Sequence, residues 1–241
     1  MITALVFAGG TGKRMNSKSK PKQFLELYGK PIIIYTLEHF EKHEKIDNIA
    51  VVCIKDCIDL LKEYLQRYNI TKVRWIVNGG ATGQESIYNG LNAIHSDVGE
   101  SKNNIVLVHD GVRPFINHQI ISDVIKSVEE YGSGITVSDA KETIVNVDKD
   151  NNIVDIRNRE YEKIARAPQG FYLKEIWDAH NMAIKEGITN VVDSASLMQH
   201  YGKSLHMVKG PDENIKITTP SDFYIFRAIY EAKENSQIFG L

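Results

Sequence analysis

The residues with the clearest chemical potential lie at the start of the chain. Leu5-Val6-Phe7-Ala8-Gly9-Gly10-Thr11-Gly12-Lys13-Arg14-Met15 is an apolar run that breaks into a glycine-rich turn, and Pro21-Lys22-Gln23 follows. Glycines after a strand let several backbone N–H groups converge with no side chains in the way, which is what a phosphate chain needs. Lys13, Arg14, Lys18, Lys20 and Lys22 put five cations within ten residues of that turn. Two familiar phosphate loops do not fit. A dinucleotide fingerprint requires a third glycine where Met15 stands, and a Walker loop requires Gly-Lys-Ser/Thr at a different spacing. Taken alone, the segment is also compatible with a glycine turn beside a solvated basic loop.

A second candidate is Asp110, at the end of the apolar run Ile105-Val-Leu-Val and flanked by His109 and Arg113. An acid at the carboxyl end of a strand in an open α/β sheet stands where such sheets bind ligands. Its bland role is to cap the following turn. Lys216, in Asn214-Ile215-Lys216-Ile217-Thr218, reads as a cation on a short strand, with a solvated surface lysine as the alternative.

The elements that must position these groups are legible from periodicity. Strand-length apolar runs at Ile2–Phe7, Ile49–Ile54, Val73–Val77 and Ile105–Val108 alternate with helix-period segments at 32–43, 58–68, 84–95 and 120–131. The alternation predicts an α/β sandwich with a mainly parallel sheet. Continuous apolar strands indicate a sheet covered on both faces. After Gly134 the rhythm changes. Thr143–Val147 and Ile153–Ile156 flank the polar cluster Asp148-Lys-Asp-Asn-Asn, which predicts a hairpin. Helical patterns return at 173–186 and 195–201. A strand is expected at 214–218, and Thr219-Pro220-Ser221-Asp222 carries a capping signature for a last helix. With no repeats or linker, the expectation is a single domain over 1–241 with a β-arm at about 139–160.

Composition excludes several classes. With 29 Lys+Arg against 31 Asp+Glu, the formal charge is −2, so nucleic acid is not an expected partner. No run approaches the roughly 18 apolar residues of a membrane span, and the N-terminus has no basic lead or signal-type core. Cys53 and Cys57 are too few for a disulfide framework or a four-ligand zinc site, and the chain is expected to be cytoplasmic. His39 and His43 lack the His-Glu-x-x-His arrangement, and Trp75 and Trp177 read as core.

Four ordered motifs now carry a resemblance: Ala8–Met15, Pro21-Lys22-Gln23-Phe24, Val108-His109-Asp110-Gly111-Val112-Arg113-Pro114, and Asn214–Pro220. Together they resemble the cytidylyltransferases that act on methylerythritol phosphate or ribitol 5-phosphate, over nearly the whole chain. The resemblance implies a three-layer nucleotidyltransferase (Rossmann-like) fold, CTP as donor, Mg2+ as cofactor and a homodimer joined by the β-arm. In that chemistry a substrate phosphate attacks the α-phosphorus of CTP, and catalysis is mainly charge neutralisation and alignment. By resemblance, Arg14, Lys22 and Lys216 are the catalytic cations and Asp110 is the metal ligand. Gly12 belongs to the phosphate cradle. Backbone groups of Ala8, Gly9, Gly10 and Gly80, with the Ser86 hydroxyl, take the cytosine. Arg113, Thr143 and Arg159 take the second substrate, the latter two in a neighbouring subunit's site.

Three departures concern the acceptor. Ala81–Glu85 contains no arginine where the family commonly has one, Ala167-Pro168-Gln169 replaces Thr-Pro-Gln after a basic Arg166, and Val192 stands where a hydroxyl residue often occurs. Asp193-Ser194-Ala195-Ser196 resembles the methylerythritol-phosphate branch more than the ribitol-phosphate branch. The first expectation is therefore a 2-C-methyl-D-erythritol 4-phosphate cytidylyltransferase of the non-mevalonate isoprenoid route. The alternatives are a ribitol 5-phosphate (or other polyol phosphate) enzyme of wall or capsule polymers, and a catalytically silent nucleotide-binding protein.

Overall fold

Four apolar segments pair in parallel as the alternation requires. In the computed structural model, which describes residues 1–10 and 20–239 (side chains to 236), β1 (Ile2–Ala8) lies between β4 (Asn48–Cys53) and β6 (Ile105–Asp110), and β5 (Val73–Asn78) pairs with β4. Two short strands, β2 (Glu26–Leu27) and β3 (Lys30–Pro31), form a separate ribbon. All six residues of β6 are buried, as a strand covered on both faces demands.

Beyond β6 the sheet continues through β10 (Lys163–Tyr172), β7 (Ser133–Asp139) and β11 (Met207–Lys209), giving the order β11-β7-β10-β6-β1-β4-β5. Only β10 is antiparallel to its neighbours. The strand order reverses between β1 and β6, so their carboxyl ends open a crevice at the switch point where α/β sheets bind ligands. The β1–β6 register pairs Phe7 with Asp110, placing the acid beside the root of the glycine turn.

Alternate residues of each strand feed two cores. Ala4, Val6 and Ala8 face α1 (Ile32–Lys42), α2 (Ile58–Arg67) and α4 (His118–Tyr131) through Phe40, Leu61 and Val124. Leu5, Ala50 and Val106 face α3 (Gly83–Val98), α5 (Leu173–Lys185) and α6 (Ser194–His200) through Leu91, Ile176 and Leu197. This is a three-layer α/β sandwich. The last helix, α7 (Pro220–Phe239), seals one side through Phe226, which packs with Tyr35 and Phe115.

Caps explain several helix boundaries. Thr82, Asn117 and Asp193 accept from the backbone N–H three residues on and open α3, α4 and α6. The capping signature before α7 is realised in both directions: Thr219 N–H donates to Asp222 Oδ2 at 2.8 Å and Asp222 N–H donates to Thr219 Oγ1 at 3.3 Å.

The polar excursion forms the expected hairpin, β8 (Val145–Val147) paired antiparallel with β9 (Ile153–Ile156). Every residue of both strands is exposed. The expectation at 214–218 needs correction, because this segment joins no ladder. It runs along the loop after β6, with Ile217 N–H donating to the Val112 carbonyl at 3.0 Å. An extended apolar–cationic–apolar sequence serves a loop anchored at alternate positions as well as a strand.

Candidate active site

The glycine turn begins where β1 leaves the sheet. Gln23, 1% exposed, donates from Nε2 to the Ala8 carbonyl at 2.7 Å and pins the start of the turn. Opposite it, the loop after β5 is held by Gly79 N–H to the Cys53 carbonyl at 2.8 Å. The two loops touch backbone to backbone: a Cβ on Gly9 would lie 3.1 Å from Gly79 Cα and 3.1 Å from Ser86 Oγ. Ser86 accepts from Gly80 N–H at 3.0 Å and donates to the Thr82 carbonyl at 2.9 Å, so its proton and one lone pair shape this turn. Ala8, Gly9, Gly10, Gly80, Ser86 and Lys22 thus line one cavity, joined by the first residues of α3. A helix N-terminus there adds partial positive charge for an anion. Lys22 Nζ lies 3.2 Å from the Ile217 carbonyl. Gly12 and Arg14 lie outside the described residues.

A second cavity adjoins the first and shares Phe7, Gly83, Asp110 and Lys216 with it. Asp110 is the hinge between them. Its Oδ1 is 2.5 Å from Lys216 Nζ and its Oδ2 accepts from Arg113 Nε at 2.7 Å. Burial pushes the Asp110 carboxyl up, but the Lys216 and Arg113 charges outweigh burial and bring it down to about 2. Neighbouring His109, wholly buried with its Nε2 3.1 Å from the Arg113 carbonyl, is held neutral by desolvation, with its pKa lowered to about 3.

Arg113 and Arg166 meet on one carbonyl. Both donate from Nη1 to Asn214 O, at 2.9 and 3.1 Å, while Arg166 Nε donates to Ser138 Oγ at 2.8 Å. Burial and the Arg113 charge both lower the Arg166 pKa, and whereas Arg113 is paired with Asp110, the side chain of Arg166 donates to a neutral carbonyl and a hydroxyl. Arg166 reaches this place because the β10–β7 register shifts between Ala165 and Gln169, interrupting the ladder. Gln169 then fixes the far wall: Nε2 donates to Asp193 Oδ2 at 2.9 Å and Oε1 accepts from Ala195 N–H at 2.9 Å. The geometry is two anion-attracting compartments joined at one ion pair, suited to bringing two phosphate esters together.

Residues 2–232 match the family model described as IspD, 2-C-methyl-D-erythritol 4-phosphate cytidylyltransferase. The chain belongs to this family. It is 49% identical over 241 residues, the whole of both chains, to a protein of Streptococcus agalactiae serotype III named ribitol-5-phosphate cytidylyltransferase. It is 39% identical over 229 residues, 95% of this chain and 97% of the other, to a 2-C-methyl-D-erythritol 4-phosphate cytidylyltransferase of Clostridium botulinum. The crystal structure of 4-diphosphocytidyl-2C-methyl-D-erythritolsynthase from Anaerococcus prevotii superposes with a TM-score of 0.82 at 28% identity, covering 95% of this chain and 96% of that one. The chain is therefore a nucleotidyltransferase of the cytidylyltransferase type.

Within this cytidylyltransferase, eight of the site residues expected from sequence line the first cavity: Ala8, Gly9, Gly10, Lys22, Gly80, Ser86, Asp110 and Lys216. Arg113 lines the second cavity. Thr143 and Arg159 do not line either cavity of their own chain. Both are exposed near the hairpin, and Arg159 Nη1 donates to the Lys141 carbonyl at 2.9 Å. Val192, 92% exposed, sits at the rim of the second cavity. Sequence reasoning missed Arg166 as a site residue, and the basic position just before Ala-Pro-Gln was its one signal. It also missed Asn214 as the shared anchor of the two arginines.

The other candidates are structural. His43 Nε2 lies 3.2 Å from the His118 carbonyl, and His39 Nε2 lies 3.1 Å from the Pro114 carbonyl. Cys53 is buried and unpaired, its thiol pushed up to about 12 by desolvation. Trp177 is half-buried and stacks on His95 at 3.9 Å, and Trp75 donates to Asp97. Among the described residues no helix is long and apolar enough to cross a membrane.

Proposed function

We propose that this enzyme transfers the cytidylyl group of CTP to ribitol 5-phosphate and releases pyrophosphate. The observation that carries the acceptor is the full-length 49% identity to a protein named ribitol-5-phosphate cytidylyltransferase, against 39% for the methylerythritol-phosphate relative. That difference shifts preference away from methylerythritol 4-phosphate, which the Asp193–Ser196 motif favours. The methylerythritol ester stays as the second reading because the family model and the similar crystal structure carry its name.

In this mechanism the nucleotide occupies the glycine-lined cavity, where backbone groups of Ala8, Gly9, Gly10 and Gly80 approach the base and Gly12, Arg14 and Lys22 meet its phosphates. The acceptor phosphate enters the second cavity against Arg113 and Arg166. Lys216, at the junction, neutralises both esters as a phosphate oxygen attacks the α-phosphorus and pyrophosphate departs in line. The attacking oxygen is already ionised, so no general base is needed, and the protein's task is orientation and charge.

Among the described residues Asp110 is the one carboxylate lining both cavities. Among the described residues no three His, Cys, Asp or Glu side chains cluster into a preformed cage. That donor set fits Mg2+, which is usually held by one or two carboxylates with substrate phosphates supplying the rest. When bound, Mg2+ would neutralise phosphate charge. Engagement of Lys216 and Arg113 by substrate anions releases the Asp110 oxygens they now cover. A homodimer through the hairpin, with Thr143 and Arg159 completing a neighbouring site, belongs to the same proposal. So does a cytoplasmic location.

A pyrophosphate-release assay across four nucleoside triphosphates and two acceptors tests the reading. The expected result is turnover with CTP and ribitol 5-phosphate. Preference for methylerythritol 4-phosphate would establish the second reading. CTP binding without turnover on any acceptor would leave a catalytically silent binding protein.

A further inference from the structure

Two residues of the acceptor-cavity wall carry polar atoms, set just behind its surface, that the protein itself leaves unmet. His180 of α5 is 2% exposed and Ser194, at the start of α6, is 3% exposed. Both line the cavity. Neither ring nitrogen of His180 nor the Ser194 hydroxyl has a hydrogen-bond partner among the described residues. Buried polar atoms are nearly always satisfied, and leaving one unmet is costly, so three behind one cavity wall favour a small side-chain turn toward a polar partner in the cavity.

The cavity is also graded in charge. Arg113, Arg166 and Lys216 hold the junction end, whereas His180 and Ser194 share their part of the lining with Ile87, Val191 and Leu197. Desolvation lowers the His180 pKa to about 4, so the imidazole is neutral near pH 7 and offers one donor and one acceptor. That pair matches an alcohol, which also donates and accepts. A phosphate would be served better by the cations at the other end.

We propose that His180 and Ser194 read the hydroxyls of the acceptor's carbon chain, so that the enzyme selects extended polyhydroxy phosphates over short ones. The inference rests on the polyol-phosphate reading above and adds the specificity determinants. A ligand phosphate at the arginines and a hydroxylated tail at the imidazole would satisfy both ends of the cavity at once.

The test compares wild type, His180→Leu and Ser194→Ala in pyrophosphate release with CTP, using ribitol 5-phosphate and the shorter glycerol 3-phosphate. In wild type, ribitol 5-phosphate is expected to be strongly preferred. Both substitutions should cut that preference about tenfold or more, through lost kcat/KM on the longer ester. Glycerol 3-phosphate turnover and KM for CTP should change little. The thermal midpoint of His180→Leu should hold or rise, because an unmet polar group has been replaced by an apolar one. Unchanged preference in both variants overturns the proposal and leaves these atoms to ordered water. If wild type favours methylerythritol 4-phosphate, the acceptor reading fails on its own, and the same ratio, taken with that hydroxylated ester, still decides the roles of His180 and Ser194. A wild-type chain that uses neither ester overturns both.

Discussion

Lys216 Nζ lies 2.5 Å from Asp110 Oδ1 at the boundary shared by the two cavities, so one ion pair occupies the place where two substrates would meet. The pair is asymmetric. The Asp110 side chain is 8% exposed and that of Lys216 38%, on a loop outside the sheet. The carboxylate is fixed by β6, and the ammonium, on a flexible stem, is the member able to turn toward an incoming phosphate.

Lys216→Met keeps much of the stem and deletes the charge. The expected outcome is a fall in kcat of about a hundredfold or more, with a smaller rise in KM for CTP, because glycine-loop contacts to the nucleotide remain. Steady-state kinetics in both substrates check this. Unchanged kcat would remove Lys216 from the reaction.

Gly9→Ala tests the close approach of the two nucleotide-side loops. Its Cβ would come within 3.1 Å of both Gly79 Cα and Ser86 Oγ, so one loop must shift by a few tenths of an ångström. The expected result is a KM for CTP raised about tenfold, equivalent to about 1.4 kcal/mol, with KM for the acceptor nearly unchanged. Equal losses in both would mean that the loops do not act on the donor side alone.

Much of this site was legible because parallel strands buried on both faces are continuous apolar runs, and their carboxyl ends are where the chemistry stands. Gly9, Gly10 and Asp110 announce themselves in that way. The sheet beyond β6 was harder to read. Strand β10 carries Arg166, Pro168, Gln169 and Gly170, residues that argue against an interior strand, and it tolerates the proline only where its ladder to β7 is interrupted. Ser133-Gly134 likewise masks the start of β7, and β11 is only three residues long. Arg166 therefore became a site residue only through a register shift. The acceptor wall was least legible, since His180 and Ser194 come from separate helices and converge with Arg166 only in the fold.

Acid stability follows from buried imidazoles. Desolvation lowers His109 to about 3 from 6.5, so the unfolded chain takes up its proton first as pH falls. Folded His109 contributes stability that is present above about 6.5 and is lost as pH falls toward 3. Between pH 7 and 5 this one group removes about 2 kcal/mol. His39 and His180, each lowered to about 4 by burial, act in the same direction. Urea unfolding of wild type and His109→Gln at both pH values should show the variant losing about 2 kcal/mol less over that interval. Equal losses would mean that His109 is not the buried neutral group described.

The hairpin supplies the last prediction. Val147, Ile153, Val154 and Ile156 are 56%, 60%, 62% and 65% exposed, and nearby Tyr161 is 80% exposed. A two-stranded ribbon has little stability of its own and needs a surface to cover an apolar side. Apolar side chains on both strands would bury against a second copy of the ribbon, and Thr143 and Arg159 at its base would then lie near the partner's acceptor cavity. Ile156→Glu places a charge in that contact. Sedimentation velocity should show a dimeric wild type and a largely monomeric variant. Acceptor KM should rise in the variant, because Thr143 and Arg159, proposed to serve the partner's site, would leave it, while CTP binding by the monomer should persist. A monomeric wild type with full activity would show that each chain works alone, and would remove Thr143 and Arg159 from the acceptor site.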